Sequence, residues 1–114
     1  MAEYKATVKE ASWEMSAREK LRYTDFTDVI QLDEATQAGD IIIDVDKWAV
    51  VWVHNEKSDT VDYAKYVIID KEGQVYVTGS ESFWRSFIAI YEEMSDEEET
   101  EYSIKVYRRE SKNY

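Results

Sequence analysis

Cysteine is absent from this chain of 114 residues, which rules out a disulfide, a thiolate zinc site and a cysteine nucleophile. Proline is absent too, and that absence points to no particular function. Histidine occurs once, as His54, and a lone imidazole with no thiol is too few ligands for a transition-metal site. Only three glycines occur, at 39, 73 and 79; each fits a turn or the approach to a helix, and none sits in a phosphate-cradling loop. There is no Gly-x-Ser-x-Gly and no ordered Ser/His/Asp set, so nucleophilic catalysis has no candidates. Asp40, Asp44 and Asp46 are closely spaced, but the central glycine and terminal glutamate of a calcium-binding EF-hand loop are missing. No apolar run reaches the length of a membrane span, and the start Met1-Ala2-Glu3-Tyr4-Lys5 lacks a signal-peptide core. These absences predict a cytoplasmic protein that is not an enzyme, needs no cofactor or metal, and has no membrane partner.

What the chain does have is aromatic and acidic. It is 44% hydrophobic and 14% aromatic, enough for one modest core, so residues 1–114 are read as a single domain. The net charge of −11 is unevenly placed. Residues 25–46 carry seven acids and no base, and residues 92–101 carry seven acids and no base. Residues 102–114 run the other way, with Lys105, Arg108, Arg109 and Lys112 against Glu110. Bulk charge of this sign disfavours duplex DNA but leaves room for a local basic groove.

Periodicity gives the elements. Residues 4–9 alternate as a short strand with one polar face, and Ser16 with Glu19 matches a capping box before a helical turn at 17–23. Residues 31–40 read as a polar loop ending at Gly39. Ile41-Ile42-Ile43 then leads into a strand in which Trp48, Val50, Trp52 and His54 share one face, and Ala49, Val51 and Val53 the other. Both faces are largely apolar, so this strand is central or one face is covered by a ligand. Strands at 63–69 and 74–78 flank the turn Lys71-Glu72-Gly73. Thr78-Gly79-Ser80-Glu81 reads as a second capping box, opening a helix over 81–94. There Phe83, Phe87, Ile90, Tyr91 and Met94 recur at helical spacing, with Trp84 and Ile88 widening the stripe. An acidic loop at 95–101 precedes a last strand at 102–107. The expected fold is α+β: a small OB-like β-barrel with one helix between strands 3 and 4, the arrangement of a fold that often binds oligonucleotides. That order needs a fifth strand after residue 107, so either the strand at 4–9 or a partner is expected to close the sheet, or the chain is a shortened one.

Single-stranded nucleic acid is held by bases stacked on aromatic rings beside lysines and arginines. On the strand faces Tyr66, Tyr76 and Tyr107 are the expected stacking rings, joined by Trp48 and Trp52 where these are not core. Lys65, Lys105, Arg108, Arg109 and Lys112 are the expected phosphate contacts. A second reading uses the two acidic segments instead: an acidic phage-type inhibitor docking on a host nucleic-acid-binding protein.

The run Tyr66-Val67-Ile68-Ile69-Asp70-Lys71-Glu72-Gly73-Gln74-Val75-Tyr76-Val77-Thr78-Gly79-Ser80, the helix after it, and Ile104-Lys105-Val106-Tyr107-Arg108-Arg109-Glu110-Ser111-Lys112-Asn113-Tyr114 carry a resemblance. Over roughly residues 40–114 the chain resembles single-stranded DNA-binding proteins of small tailed phages that infect Gram-positive bacteria. The resemblance implies sequence-tolerant coating of exposed single-stranded DNA during phage replication in the host cytoplasm. Self-association through an open sheet edge and a host or phage replication protein are the further partners this reading carries.

Overall fold

The computed structural model describes residues 4–99 and 101–107. In chain order it contains β1 (Tyr4–Ala11), α1 (Ala17–Tyr23), β2 (Ile30–Gln31), α2 (Leu32–Ala38), β3 (Ile41–Asn55), β4 (Asp62–Asp70), β5 (Val75–Thr78), α3 (Glu81–Asp96) and β6 (Ser103–Val106).

The fold is organised by β3, a strand of 15 residues. Its second half pairs antiparallel with β1 on one side, Ala49 opposite Ala11 and Asn55 opposite Tyr4. On its other side β4 pairs antiparallel from Val45 opposite Asp70 to His54 opposite Asp62, with a bulge between Val45 and Lys47. The first half of β3 pairs with β6, from Ile41 opposite Val106 to Asp44 opposite Ser103. The Asp44 carbonyl accepts from Lys71 N–H, whereas Val45 N–H donates to the Tyr102 carbonyl. Successive residues of a strand aim these groups to opposite sides, so β6 lies on the same edge of β3 as β1. β5 follows antiparallel on β4, and β2 adds to β5 in parallel.

The expected barrel is therefore corrected to an open, mixed six-stranded sheet in an α+β domain. Its path runs β1-β3-β4-β5-β2, with β6 added on β3. The expected helix position is corrected too: α3 follows the fifth strand, β5, and precedes β6. The physical reason is where the end strands go. β1, expected to close the sheet, is taken up on the edge of β3, next to the stretch that β6 occupies, and the far edge is the two-residue β2. Closure by backbone pairing has no partner strand left among the described residues.

Residues 31–40 are also corrected, from loop to the end of β2 followed by α2. Leu32 is buried and Thr36 Oγ1 donates to the Leu32 carbonyl at 2.7 Å; Gly39, at φ 152°, then turns the chain out. With one buried apolar anchor, this seven-residue helix has no periodicity to read. Other local signals hold. Ser16 Oγ accepts from Glu19 N–H and the Glu19 carboxylate accepts from Ser16 N–H, so α1 opens on the expected capping box. One signal is corrected: the expected box from Thr78 to Glu81 does not form, and Ser80 instead caps α3 by accepting from Phe83 N–H, one-way because residue 83 is not an acid. Gly73 takes φ 88° in the β4–β5 turn, where the Asp70 carboxylate accepts from Glu72 and Gln74 N–H at 2.9 and 2.8 Å.

The sheet is packed on both faces. On one, Ile43, Val45, Trp48, Ile68 and Tyr76 meet Trp84 and Phe87 of α3, Leu32 of α2, and Ile104 and Val106 of β6. On the other, Ala49, Val51, Val53, Val67 and Val77 meet Tyr23 of α1, with Trp13, Phe26 and Val29 from the segments beside it. Most of the apolar surface on both faces of β3 is thus covered within the chain, with Ile42 and Trp52 left exposed.

Candidate nucleic-acid interface

The strand period puts Trp48, Val50 and Trp52 on one face, and α3 then treats them differently. Trp48 is 7% exposed and meets Trp84 and Tyr91 edge-on, at 5.6 and 5.4 Å between ring centroids. Among the described residues its indole Nε1–H has no hydrogen-bond partner. Trp52 lies beyond the helix and is 41% exposed. Its direct neighbours across the sheet are Thr7 on β1 and Ala64 on β4. Both are smaller than the indole, which is left partly exposed. The Lys9 ammonium lies over its ring, 5.0 Å from the centroid. Between Trp48 and α3 an open groove of about 590 Å³ is lined by Glu10, Trp84, Arg85, Ile88 and Tyr91.

The other expected stacking rings divide in the same way. Tyr66 is half-buried, its ring stacked on Trp84 at 4.9 Å and 16°. Tyr76 is buried in the core under α3. Its phenol is held above the ordinary tyrosine value, first by burial and then by the Asp70 carboxylate, which accepts its hydrogen bond. Tyr107 is 54% exposed and follows β6. With Lys105, Phe83, Phe87 and Ile90 it borders a groove of about 610 Å³ between β6 and α3.

Among the expected phosphate contacts, Lys65 is on the opposite face from Trp52, its ammonium 5.5 Å from the Phe26 ring centroid. Lys105 is exposed and pairs with Asp40 at 3.3 Å. Arg108, Arg109 and Lys112 lie outside the described residues. The structure thus brings Lys105 and Tyr107 together at one rim of α3 and leaves Trp52 on the sheet beyond it. Trp48, Tyr66 and Tyr76 are in aromatic packing, and Lys65 is across the sheet. Sequence reasoning passed over Lys9, whose readable signal was a lysine in an edge strand; the geometry that matters, its position over Trp52, comes from a strand pairing that local pattern does not encode.

Among the described residues there is no cluster of three or more His, Asp and Glu that could hold a metal ion, and no helix long and apolar enough to cross a membrane. His54 sits between carboxylates, Nδ1 at 2.8 Å from Asp62 and Nε2 at 3.8 Å from Glu56, an arrangement that orients an imidazole but supplies no nucleophile. The acids of residues 92–99 and Glu101 project from the end of α3 and the loop after it, with Glu92, Glu93 and Asp96 to Glu99 all exposed. Comparison with models of protein families, with curated proteins and with solved structures finds no match to this chain.

Proposed function

We propose that this protein binds single-stranded DNA without sequence preference, as a coating protein of phage-type replication in the host cytoplasm. The observation that carries the reading is Trp52. A large indole, 41% exposed on a sheet face, flanked by smaller residues and approached by a lysine, is the arrangement that stacking on a base requires. Burial is the ordinary fate of tryptophan, and here Trp48 and Trp84 follow it while Trp52 does not. The rim at Lys105 and Tyr107 leads into the basic residues Arg108, Arg109 and Lys112, and extends the same chemistry. The resemblance of residues 66–80 and 104–114 to phage single-stranded DNA-binding proteins supports it independently of the geometry.

Titration with oligo-dT is the test. Binding should quench tryptophan emission, because a base stacked on Trp52 contacts the fluorophore. With about two to four phosphates held, log K should fall against log salt with a slope of roughly −1.4 to −2.8, at ~0.7 per contact. Absence of both quenching and a gel shift at low salt would overturn the reading. The exposed acids at the end of α3 favour a second reading, docking on the basic surface of a host or phage nucleic-acid-binding protein. That reading requires a chain that ignores oligo-dT and loses its partner when Glu97, Glu98 and Glu99 are neutralised.

A further inference from the structure

Lys9 is the extra residue of a β-bulge. In the β1–β3 ladder Val8 lies opposite Val51 and Glu10 opposite Val50, and Lys9 has no opposite number. Val8 belongs to the face that packs on α1, and Glu10 and Lys9 are both on the face of Trp52. A regular strand would have alternated these positions. Lys9 has the parity of Thr7, the residue opposite Trp52, so alternation sets its face, and the bulge holds Glu10 on that face as well, leaving two charged side chains beside the one exposed indole of the sheet. Lys9 is itself exposed, so the ring contact is held at the surface in reach of solvent and ligand.

From this we infer that Lys9 is a phosphate-binding residue stored on the ring that receives the base. The inference rests on the single-strand reading above and adds a residue and an order of events to it. In the free protein the ammonium occupies the face of Trp52. An incoming base competes for that face, and base-on-aromatic stacking is stronger than an exposed cation–π contact. The displaced ammonium, still tethered at the bulge, swings to the phosphate of the same nucleotide. No bond is made or broken; one charge contact is exchanged for another, and a counterion leaves the strand. Covering the ring in the free state also keeps a bare indole from offering itself to other apolar surfaces.

The experiment compares wild type, Lys9→Ala and Lys9→Arg with oligo-dT of about 16 nucleotides across a salt series. Lys9→Ala should bind several-fold more weakly at low salt and should flatten the salt slope by about 0.7, the signature of one lost contact to a single strand. Lys9→Arg, which keeps the charge, should restore the slope. Wild-type melting and circular dichroism in both variants would exclude a folding defect at this exposed position. Tighter binding by Lys9→Ala would overturn the inference by making Lys9 a mere competitor for the ring. So would weaker binding at an unchanged slope, which would assign Lys9 to packing. If wild type binds oligo-dT and Lys9→Ala behaves identically, the single-strand reading stands and this inference alone fails. If wild type does not bind at all, both fall.

Discussion

The ring of Tyr66 lies flat against that of Trp84, 4.9 Å between centroids and 16° between planes. Trp84 in turn stacks on Phe87 at 4.9 Å and meets Trp48 edge-on at 5.6 Å. A continuous aromatic layer thus joins β3, β4 and α3, and it consumes rings that strand periodicity alone would offer to a ligand.

Phe87, 1% exposed, is the most deeply buried ring of that layer. Phe87→Ala should cost ~3–5 kcal/mol, the range for emptying a buried aromatic site. Urea denaturation measures it, and a midpoint equal to wild type would remove Phe87 from the core.

Trp48 and Trp52 should separate cleanly when each is truncated. Trp48→Ala should destabilise by ~3–5 kcal/mol, because it opens a cavity beneath α3. Trp52→Ala should leave the melting temperature nearly unchanged and weaken oligo-dT binding by ~1–3 kcal/mol. A large loss of stability in Trp52→Ala, with binding retained, would reverse these assignments.

The outer edge of β1 pairs with no strand among the described residues. An open edge is a template for another chain, and natural sheets blunt such edges with bulges and lysines. β1 carries both, in Lys9 and Lys5. Deleting Lys9 would make the strand regular and should promote concentration-dependent association in sedimentation velocity runs. A deletion variant as monomeric as wild type would show that the bulge does not guard this edge.

Tyr76 and Tyr102 should resist ionisation. Burial raises both above the ordinary value of 10.0, with the Asp70, Glu72 and Asp44 charges adding to the effect at Tyr76 and Tyr91 at Tyr102. A group whose folded value lies above its unfolded value stabilises the fold while it remains protonated. This contribution is complete below pH 10.0 and is lost as pH rises through the folded values. Part of the phenolate absorbance should therefore appear only above the ordinary value and be accompanied by unfolding, and Asp70→Asn should bring Tyr76 closer to the ordinary range. A single ionisation of all nine tyrosines near the ordinary value would refute this.

At the acid end, Glu19 is held below the ordinary carboxylate value, first by the Ser16 N–H and then by the Trp13 indole that donates to it at 3.0 Å. Its contribution to the start of α1 is present above the unfolded value and is lost as pH falls through the folded one. Glu19→Gln keeps an acceptor for the cap and should reduce this acid sensitivity in a far-ultraviolet pH titration; an unchanged acid limb would place the sensitivity elsewhere.

What is local was legible from the residues alone. The Ser16 cap, the Gly73 turn, the stripe of α3 and the two faces of β3 all depend on residues within a few positions of one another, where capping geometry and side-chain period act directly. It was equally legible that Trp48 and Trp52 share a face, since two is the period of a strand. Which of them is core follows from long-range packing. α3 reaches over Trp48 with Trp84 and Tyr91 and leaves Trp52 uncovered, and that depends on where a helix some thirty residues later is laid across the sheet. Closure was decided at the same level. Local pattern identifies strands but not their partners, so it could not foresee that β1 and β6 would share one edge of β3, a choice set by burial summed over the whole sheet. Lys9 belongs there too: its residue type was legible, but its position over Trp52 exists because β1 pairs with β3 in the register that sets Thr7 opposite Trp52.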